Sequence, residues 1–217
     1  MKIFNSVKPR IKVVDEKRSL VNKKVVVVKS LGLGTYIQVD SLTQSGGVVE
    51  IIWKSTLRGI KKEKKEISNC LILGIGGGTV SKIIGKLWPI ANQVGVDNDP
   101  VMIEFGRKYL GLDDKRIVTV VDDAGKYIIG EVRKGKKYDL VLVDLYVGYD
   151  IPHYFTTEKF VNSVKKITSK NGIIIFNRLY FDEKRKDAVK FGKKLEIVFP
   201  RVKYVYPEAN VMFVCNI

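Results

Sequence analysis

The sequence predicts an α/β fold: a mostly parallel sheet covered by helices on both faces, closed by an antiparallel β-hairpin and preceded by a small β-rich segment. From residue 68 onward, short apolar runs alternate with amphipathic segments, which is the pattern of parallel strands buried on both faces. The last two β-rich runs, 202–206 and 211–217, are joined by residues 207–210 alone, and so short a connection only joins antiparallel strands. Residues 10–42 contain β-rich runs separated by turns, which predict an antiparallel meander.

The N-terminal segment is predicted to contain two clear strands and one helix. Residues 24–29 are rich in valine, and residues 35–39 alternate apolar and polar side chains as a half-buried strand does. In residues 48–57 the apolar side chains recur with helical spacing, and Ser45 is available as a cap for that helix. The charged run at 61–66 is interpreted as a loop or a frayed helix end.

The charged run also marks the boundary between two predicted domains, 1–66 and 67–217. Within the second domain, strands and helices are expected in strict alternation. The predicted strands are 70–73, 93–96, 117–121, 138–144 and 173–177, and the predicted helices are 80–87, 101–109, 124–132, 157–168 and 182–195. Asp99-Pro100 supplies a cap and a first-turn proline for one helix, and Asn171-Gly172 is interpreted as a turn.

Composition narrows the classes of function. The net charge is +16, which favours anionic partners, but the lysines are spread over many segments, so nucleic-acid binding stays open without being favoured. A single histidine, His153, and two apolar-flanked cysteines, Cys70 and Cys215, predict no metal site. Residues 1–10 carry charges where a signal peptide has its apolar core, and no apolar run is long enough to cross a bilayer. We therefore expect a cytoplasmic protein without a membrane partner.

A run of glycines after the first strand of the second domain predicts a ligand site. The strand is followed at once by a glycine turn and a helix start, a Rossmann-like arrangement that exposes backbone N–H groups to a ligand. The spacing approaches a dinucleotide fingerprint but ends in threonine. A plain glycine-rich loop is the alternative. The predicted cofactor-binding residues of the turn are Gly74, Gly76, Gly77, Gly78 and Thr79.

Carboxylates follow the later strands at the same edge of the predicted sheet. Asp97 lies about 20 residues after the glycine turn, where an acid accepts hydrogen bonds from ribose hydroxyls. Asp122 or Asp123 is placed to reach an adenine amine, and Asp144 ends the next strand. Each acid alone has a capping or solvated alternative, but together they predict an adenosine-containing cofactor. A nicotinamide dinucleotide is weakened by Thr79 and by the terminal hairpin.

Motifs over residues 67–180 resemble the spermidine synthase-like (polyamine aminopropyltransferase) branch of the class I S-adenosylmethionine-dependent methyltransferase fold, with a weaker similarity over 35–57. The segment after Asp144 is the most specific, since it combines an aromatic residue, Ile-Pro and Thr-x-Glu-x-Phe. The motifs that carry the resemblance are 71–80, 96–100, 123–124, 138–144 and 144–160. The resemblance implies S-adenosylmethionine or its decarboxylated form as co-substrate, an amine as acceptor, and a homodimer as a possible assembly.

The resemblance also assigns roles to residues near the acceptor. Asp144 is expected to bind the acceptor amine and take its proton, and Tyr146 to stand beside the sulfonium, so these two are the predicted catalytic residues. Plain packing is the alternative for Tyr146 and Tyr149, and a solvated loop position is the alternative for Asp150. The predicted substrate-binding residues are Gln44, Glu50, Tyr149 and Asp150.

Two departures separate this chain from the resembled enzymes. They carry an aspartate in the glycine loop, where this chain has Thr79, and a Tyr-His-Glu or Tyr-Gln-Glu motif, of which residues 48–50 keep only Glu50. The functional prediction is therefore aminopropyl transfer to an amine. The alternatives are methyl transfer to a small molecule or RNA, and a non-catalytic nucleoside-binding protein.

Overall fold

A computed structural model of the protein describes residues 11–217. The expectation drawn from charges at residues 1–10, and the first residue of the predicted meander, lie outside the described residues. No helix within residues 11–217 is long and apolar enough to cross a membrane.

The N-terminal segment forms an antiparallel sheet of its own, followed by one helix. The four strands pair in chain order and are β1 Lys12–Ser19, β2 Lys23–Ser30, β3 Gly34–Val39 and β4 Leu42–Gly46. Helix α1, Gly47–Glu63, confirms the prediction at 48–57 and extends into the charged run. The prediction that Ser45 caps this helix is wrong. The N-cap is Gly46, without a side-chain hydrogen bond, because the Ser45 hydroxyl is turned toward the glycine loop.

The main sheet has seven strands in the order β10-β11-β9-β8-β5-β6-β7. Only β11 runs opposite to the other strands, since it pairs antiparallel with both β10 and β9. The short connection between β10 and β11 requires this reversal. The strands are β5 Asn69–Leu73, β6 Asn92–Asp97, β7 Val118–Val121, β8 Tyr138–Val143, β9 Thr168–Leu179, β10 Arg201–Val205 and β11 Asn210–Asn216. The central strands are buried on both faces because helices cover each side.

Five helices flank this sheet near the predicted positions. They are α2 Thr79–Leu87, α3 Pro100–Phe105, α4 Ala124–Arg133, α5 Glu158–Lys166 and α6 Lys184–Val198. Side chains of Asp99, Asp123 and Thr157 cap α3, α4 and α5 by accepting backbone N–H groups. Helix α3 continues into a π-helical turn at Gly106–Leu110.

The predicted turn at Asn171-Gly172 is wrong, because both residues lie inside β9. Pairing with β8 jumps from Thr168 opposite Tyr138 to Ile173 opposite Leu140, so the strand absorbs the extra residues as an irregularity. Gly172 does not adopt a positive φ, and the chain therefore does not reverse there.

Two hydrophobic clusters cover opposite faces of the main sheet. Helix α1 belongs to one of them, with Trp53 and Leu57 fully buried beside Ile72 and Ile84. The predicted N-terminal domain therefore contributes a helix to the hydrophobic core of the predicted second domain. The division at residue 66 stays a prediction.

Candidate active site

A cavity lies at the carboxyl ends of the parallel strands, the edge where ligands bind in open α/β sheets. Its walls come from β4, α1, the glycine turn, the loops after β6, β7 and β8, and the turn between β10 and β11. Five carboxylates line it: Asp97, Asp122, Asp123, Asp144 and Glu208. No Lys, Arg or His of the described part of the chain lines it. In a chain with a net charge of +16, this cavity is therefore locally acidic.

The glycine turn lets two strand ends approach closely. Gly74 has a φ of +85°, and a Cβ at this position would lie 2.0 Å from the carbonyl oxygen of Asp144. Any other residue would push the loop after β8 away from β5. Gly106, in the π-helical turn, packs against the glycine turn itself, since a Cβ there would lie 2.7 Å from Gly77 Cα. Close packing on both sides thus fixes the shape of the turn.

Asp97 is held by the backbone on both carboxylate oxygens. Gly76 N–H donates to Oδ2 at 2.8 Å, and Asp99 N–H donates to Oδ1 at 3.0 Å. Burial raises the pKa of Asp97 to about 6, although these two hydrogen bonds oppose the shift. The free lone pairs of a carboxylate fixed in this way can accept hydrogen bonds from ligand hydroxyls.

Asp122 and Asp123 stand side by side at the end of β7 and line the cavity. Asp123 N–H donates to Asp122 Oδ1 at 2.8 Å, and Asp123 Oδ1 accepts from Lys126 N–H at 2.9 Å as the cap of α4. Each carboxylate thus uses one oxygen for a backbone N–H and keeps the other for a ligand amine.

Asp144 is positioned by two side chains from distant segments. Trp53 Nε1 donates to Oδ2 at 2.9 Å, and Asn177 Nδ2 donates to Oδ1 at 2.8 Å. Burial raises the pKa of the Asp144 carboxyl above its ordinary value, while the two hydrogen bonds and the nearby Arg178 guanidinium oppose that rise. The carboxylate is thus held in one orientation at the cavity.

Tyr146 forms the wall next to Asp144. Its hydroxyl accepts from Leu179 N–H at 2.8 Å, which fixes the ring at the cavity edge. Burial raises the pKa of the Tyr146 hydroxyl, so the phenol is neutral at physiological pH.

Three contributors to this site were not found from the sequence: Trp53, Asn177 and Glu208. Asn177 was the last residue of a predicted strand, which is the same signal that identified Asp97 and Asp144, although β9 continues to Leu179 in the structure. Trp53 lies on the predicted helix 48–57, but nothing local showed that its indole reaches a residue 91 positions later. Glu208 lies in the predicted turn between the last two strands.

Thr79 does not face the cavity. It is 6% exposed, and its Oγ1 accepts from Gly46 N–H at 2.7 Å and lies 3.0 Å from Ser45 Oγ. Ser45 Oγ in turn accepts from Gly77 N–H at 3.0 Å. These bonds tie the glycine turn to the N-terminal sheet. Gly77, Gly78 and Thr79 therefore shape the floor from behind, whereas Gly74 and Gly76 line the cavity itself.

The predicted substrate-binding residues divide into one inside and three outside the cavity. Gln44 lines it and donates from Nε2 to the Gly148 carbonyl at 3.1 Å. Glu50 lies in a separate groove between α1 and α2, 3.9 Å from Lys54. Tyr149 and Asp150 line a neighbouring pocket. The Asp150 carboxylate is largely exposed and is paired there with Lys184.

Known proteins with a similar fold or sequence include spermidine synthases and methyltransferases. A Thermotoga maritima spermidine synthase structure superposes with a TM-score of 0.76 at 20% identity, covering 94% of this chain and 72% of that one. A polyamine aminopropyltransferase of Vibrio vulnificus is 29% identical over 68% of this chain and 51% of its own length. An eEF1A lysine and N-terminal methyltransferase homolog of Drosophila melanogaster is 28% identical over 66% of this chain and 22% of its own. The chain thus spans about half the length of the Vibrio relative.

The sheet order and the structural matches give this chain the fold shared by spermidine synthases and class I methyltransferases. Residues 50–210 match the family model described as the spermine/spermidine synthase domain. The chain therefore belongs to the spermine/spermidine synthase family.

Proposed function

We propose that this protein transfers an aminopropyl group from decarboxylated S-adenosylmethionine to a small-molecule amine. The observation that carries the proposal is the charge of the cavity: within residues 11–217, five carboxylates and no basic side chain line it. The sulfonium and the amino group of this co-substrate are both cationic, and so is a protonated amine acceptor. An acidic cavity attracts all three, even in a protein whose overall charge is positive.

The proposed reaction is a single displacement. The acceptor nitrogen uses its lone pair to form a bond to the carbon next to the sulfonium. The carbon–sulfur bond breaks, sulfur keeps the electron pair as a neutral thioether, and the new ammonium loses a proton. Asp144 is the group in the cavity positioned to orient the amine and accept that proton, because Trp53 and Asn177 fix both of its oxygens.

The remaining carboxylates are assigned to the nucleoside. Asp97, which receives two backbone N–H groups, is proposed to accept the ribose hydroxyls, and Asp122 or Asp123 the adenine amine. Tyr146 is proposed as the aromatic wall beside the sulfonium. Thr79 is left without a ligand role, because its hydroxyl is already bonded to β4.

Methyl transfer is the second candidate, supported by the Drosophila relative and by the missing acid at Thr79. Intact S-adenosylmethionine carries a carboxylate, and the cavity lining offers that group no cationic side chain. We therefore place decarboxylated co-substrate first. A homodimer and contact with nucleic acid stay predictions from the sequence alone.

Mixing the protein with each form of the co-substrate and a set of linear diamines, then reading product masses, tests the proposal. We expect products heavier by one aminopropyl group, formed only with the decarboxylated form. Methylated products from intact co-substrate would establish the second candidate instead. Binding of nucleoside without any turnover would support a non-catalytic protein.

A further inference from the structure

The turn between β10 and β11 places a carboxylate on the cavity wall that the proposed reaction does not yet use. The side chain of Glu208 is exposed and lines the cavity together with Phe181 and Asn210. No ion pair formed within residues 11–217 includes it. Its negative charge is therefore open to a ligand that enters the cavity.

The backbone holds this carboxylate in place. Glu208 has a φ of +51°, in the left-handed region that a non-glycine residue occupies at a cost of about 1 kcal/mol. Two backbone hydrogen bonds stabilise the turn: Tyr180 N–H donates to the Ala209 carbonyl at 2.7 Å, and Asn210 N–H donates to the Pro207 carbonyl at 3.0 Å. The turn thus presents Glu208 from a fixed position.

The same turn is hydrogen-bonded to the reacting end of the cavity. Asn210 Nδ2 donates to Asn177 Oδ1 at 2.7 Å, and Asn177 Nδ2 donates to Asp144 Oδ1 at 2.8 Å. One asparagine therefore joins the turn that carries Glu208 to the proposed catalytic carboxylate. This relationship places Glu208 on the acceptor side of the cavity, whereas Asp97 and Asp122 stand at the ends of β6 and β7.

We infer that Glu208 selects the acceptor by binding the far ammonium of a linear diamine whose near amine faces Asp144. The inference rests on the proposed aminopropyl transfer. The near nitrogen must be neutral to attack, but the far nitrogen keeps its proton and its charge at neutral pH. A carboxylate opposite that charge favours a diamine over a monoamine of equal length, which has only a methyl group to offer there.

The experiment compares 1,4-diaminobutane with n-pentylamine, whose terminal methyl replaces the far nitrogen, as acceptors for the wild type and for Glu208→Gln. The substitution removes the charge and keeps the shape. We expect KM for the diamine to rise about fivefold with kcat unchanged, because an exposed ion pair contributes equally before and during reaction. The kcat/KM for n-pentylamine should stay as in the wild type. Glu208→Asp, which keeps the charge, should retain part of the preference.

Glu66→Gln is the matched control, since Glu66 is an exposed loop glutamate outside the cavity lining. It should leave both acceptors unaffected. Equal losses with both acceptors in Glu208→Gln, or an unchanged preference, would overturn the role given to Glu208. A wild type that yields no aminopropylated product from any amine would instead refute the proposed function on which the inference rests.

Discussion

The indole of Trp53 donates a 2.9 Å hydrogen bond to Asp144 Oδ2, although the two residues are 91 positions apart in sequence. Trp53 is fully buried on α1, and Asp144 ends β8 at the cavity. The N-terminal segment therefore supplies one of the two donors that orient the proposed catalytic carboxylate. This contact makes the N-terminal segment part of the site.

Removing the Asp144 carboxylate should abolish transfer while leaving nucleoside binding intact. For Asp144→Asn we expect kcat to fall by about 10²–10⁴-fold, the usual contribution of a positioned general base. The dissociation constant of 5′-methylthioadenosine, measured by calorimetry, should stay close to the wild-type value. Retained turnover in this variant would contradict the role assigned to Asp144.

Trp53→Phe should shift the pH dependence of the reaction. A hydrogen bond donated to a carboxylate stabilises its charged form, so losing it raises the pKa of Asp144 further above its ordinary value. Transfer requires the deprotonated carboxylate, and the acidic limb of the kcat/KM profile should therefore move to higher pH, by about one unit or less. If the pH profile of kcat/KM were unchanged and only the stability of the variant fell, Trp53 would contribute packing alone.

The pKa of Asp97 predicts how nucleoside binding responds to acid. Because burial raises this pKa from 3.8 to about 6, the stability contributed by the group is greatest at low pH and is lost as the pH rises through 6. Ribose hydroxyls bind the ionised form, so affinity for 5′-methylthioadenosine should weaken as the pH falls below about 6. Calorimetry across this range checks the trend. Asp97→Asn should bind 5′-methylthioadenosine weakly at every pH. If the affinity of this variant still fell with acid as in the wild type, another group would be responsible for the pH dependence.

Thr79→Val should destabilise the fold without touching the cavity. The substitution leaves the buried Gly46 N–H without its acceptor, which costs about 1–3 kcal/mol in the free energy of unfolding. Urea denaturation measures the loss. Thr56→Val is the matched control: Thr56 is 3% exposed, but its hydroxyl only donates to Ile52 O in its own helix. Its loss should be clearly smaller. Equal losses of unfolding free energy in the two variants would show that the hydrogen bond between β4 and Thr79 adds no stability of its own.

Two acids predicted from the sequence but located outside the cavity should be dispensable. Glu50 faces the groove between α1 and α2, and Asp150 is paired with Lys184 beside a different pocket. We expect Glu50→Gln and Asp150→Asn to change kcat/KM for a diamine by less than about twofold, because exposed ion pairs contribute little. A tenfold loss of kcat/KM in either variant would show that the substituted residue does contribute to substrate binding or catalysis.

Much of this site was predictable because it follows the strand ends. Asp97, Asp122 and Asp144 each come directly after a short apolar run, and the carboxyl ends of parallel strands meet at one edge of a sheet. Asp99 was instead predicted to cap a helix, and this prediction is confirmed. It accepts from Val101 N–H at 2.9 Å, is fully buried and does not line the cavity. Local chemistry was sufficient in these places.

The sequence by itself determined the alternation of strands and helices, the glycine turn and the row of acids, because periodicity and capping act over a few residues. Only the tertiary structure decided which side chains share the cavity. Thr79 is hydrogen-bonded to β4, and Glu50 faces a separate groove. Trp53, Asn177 and Glu208 line the cavity from segments far apart in sequence. Such choices depend on packing between elements far apart in sequence, where one rotation of a helix or one turn of the chain changes the neighbour.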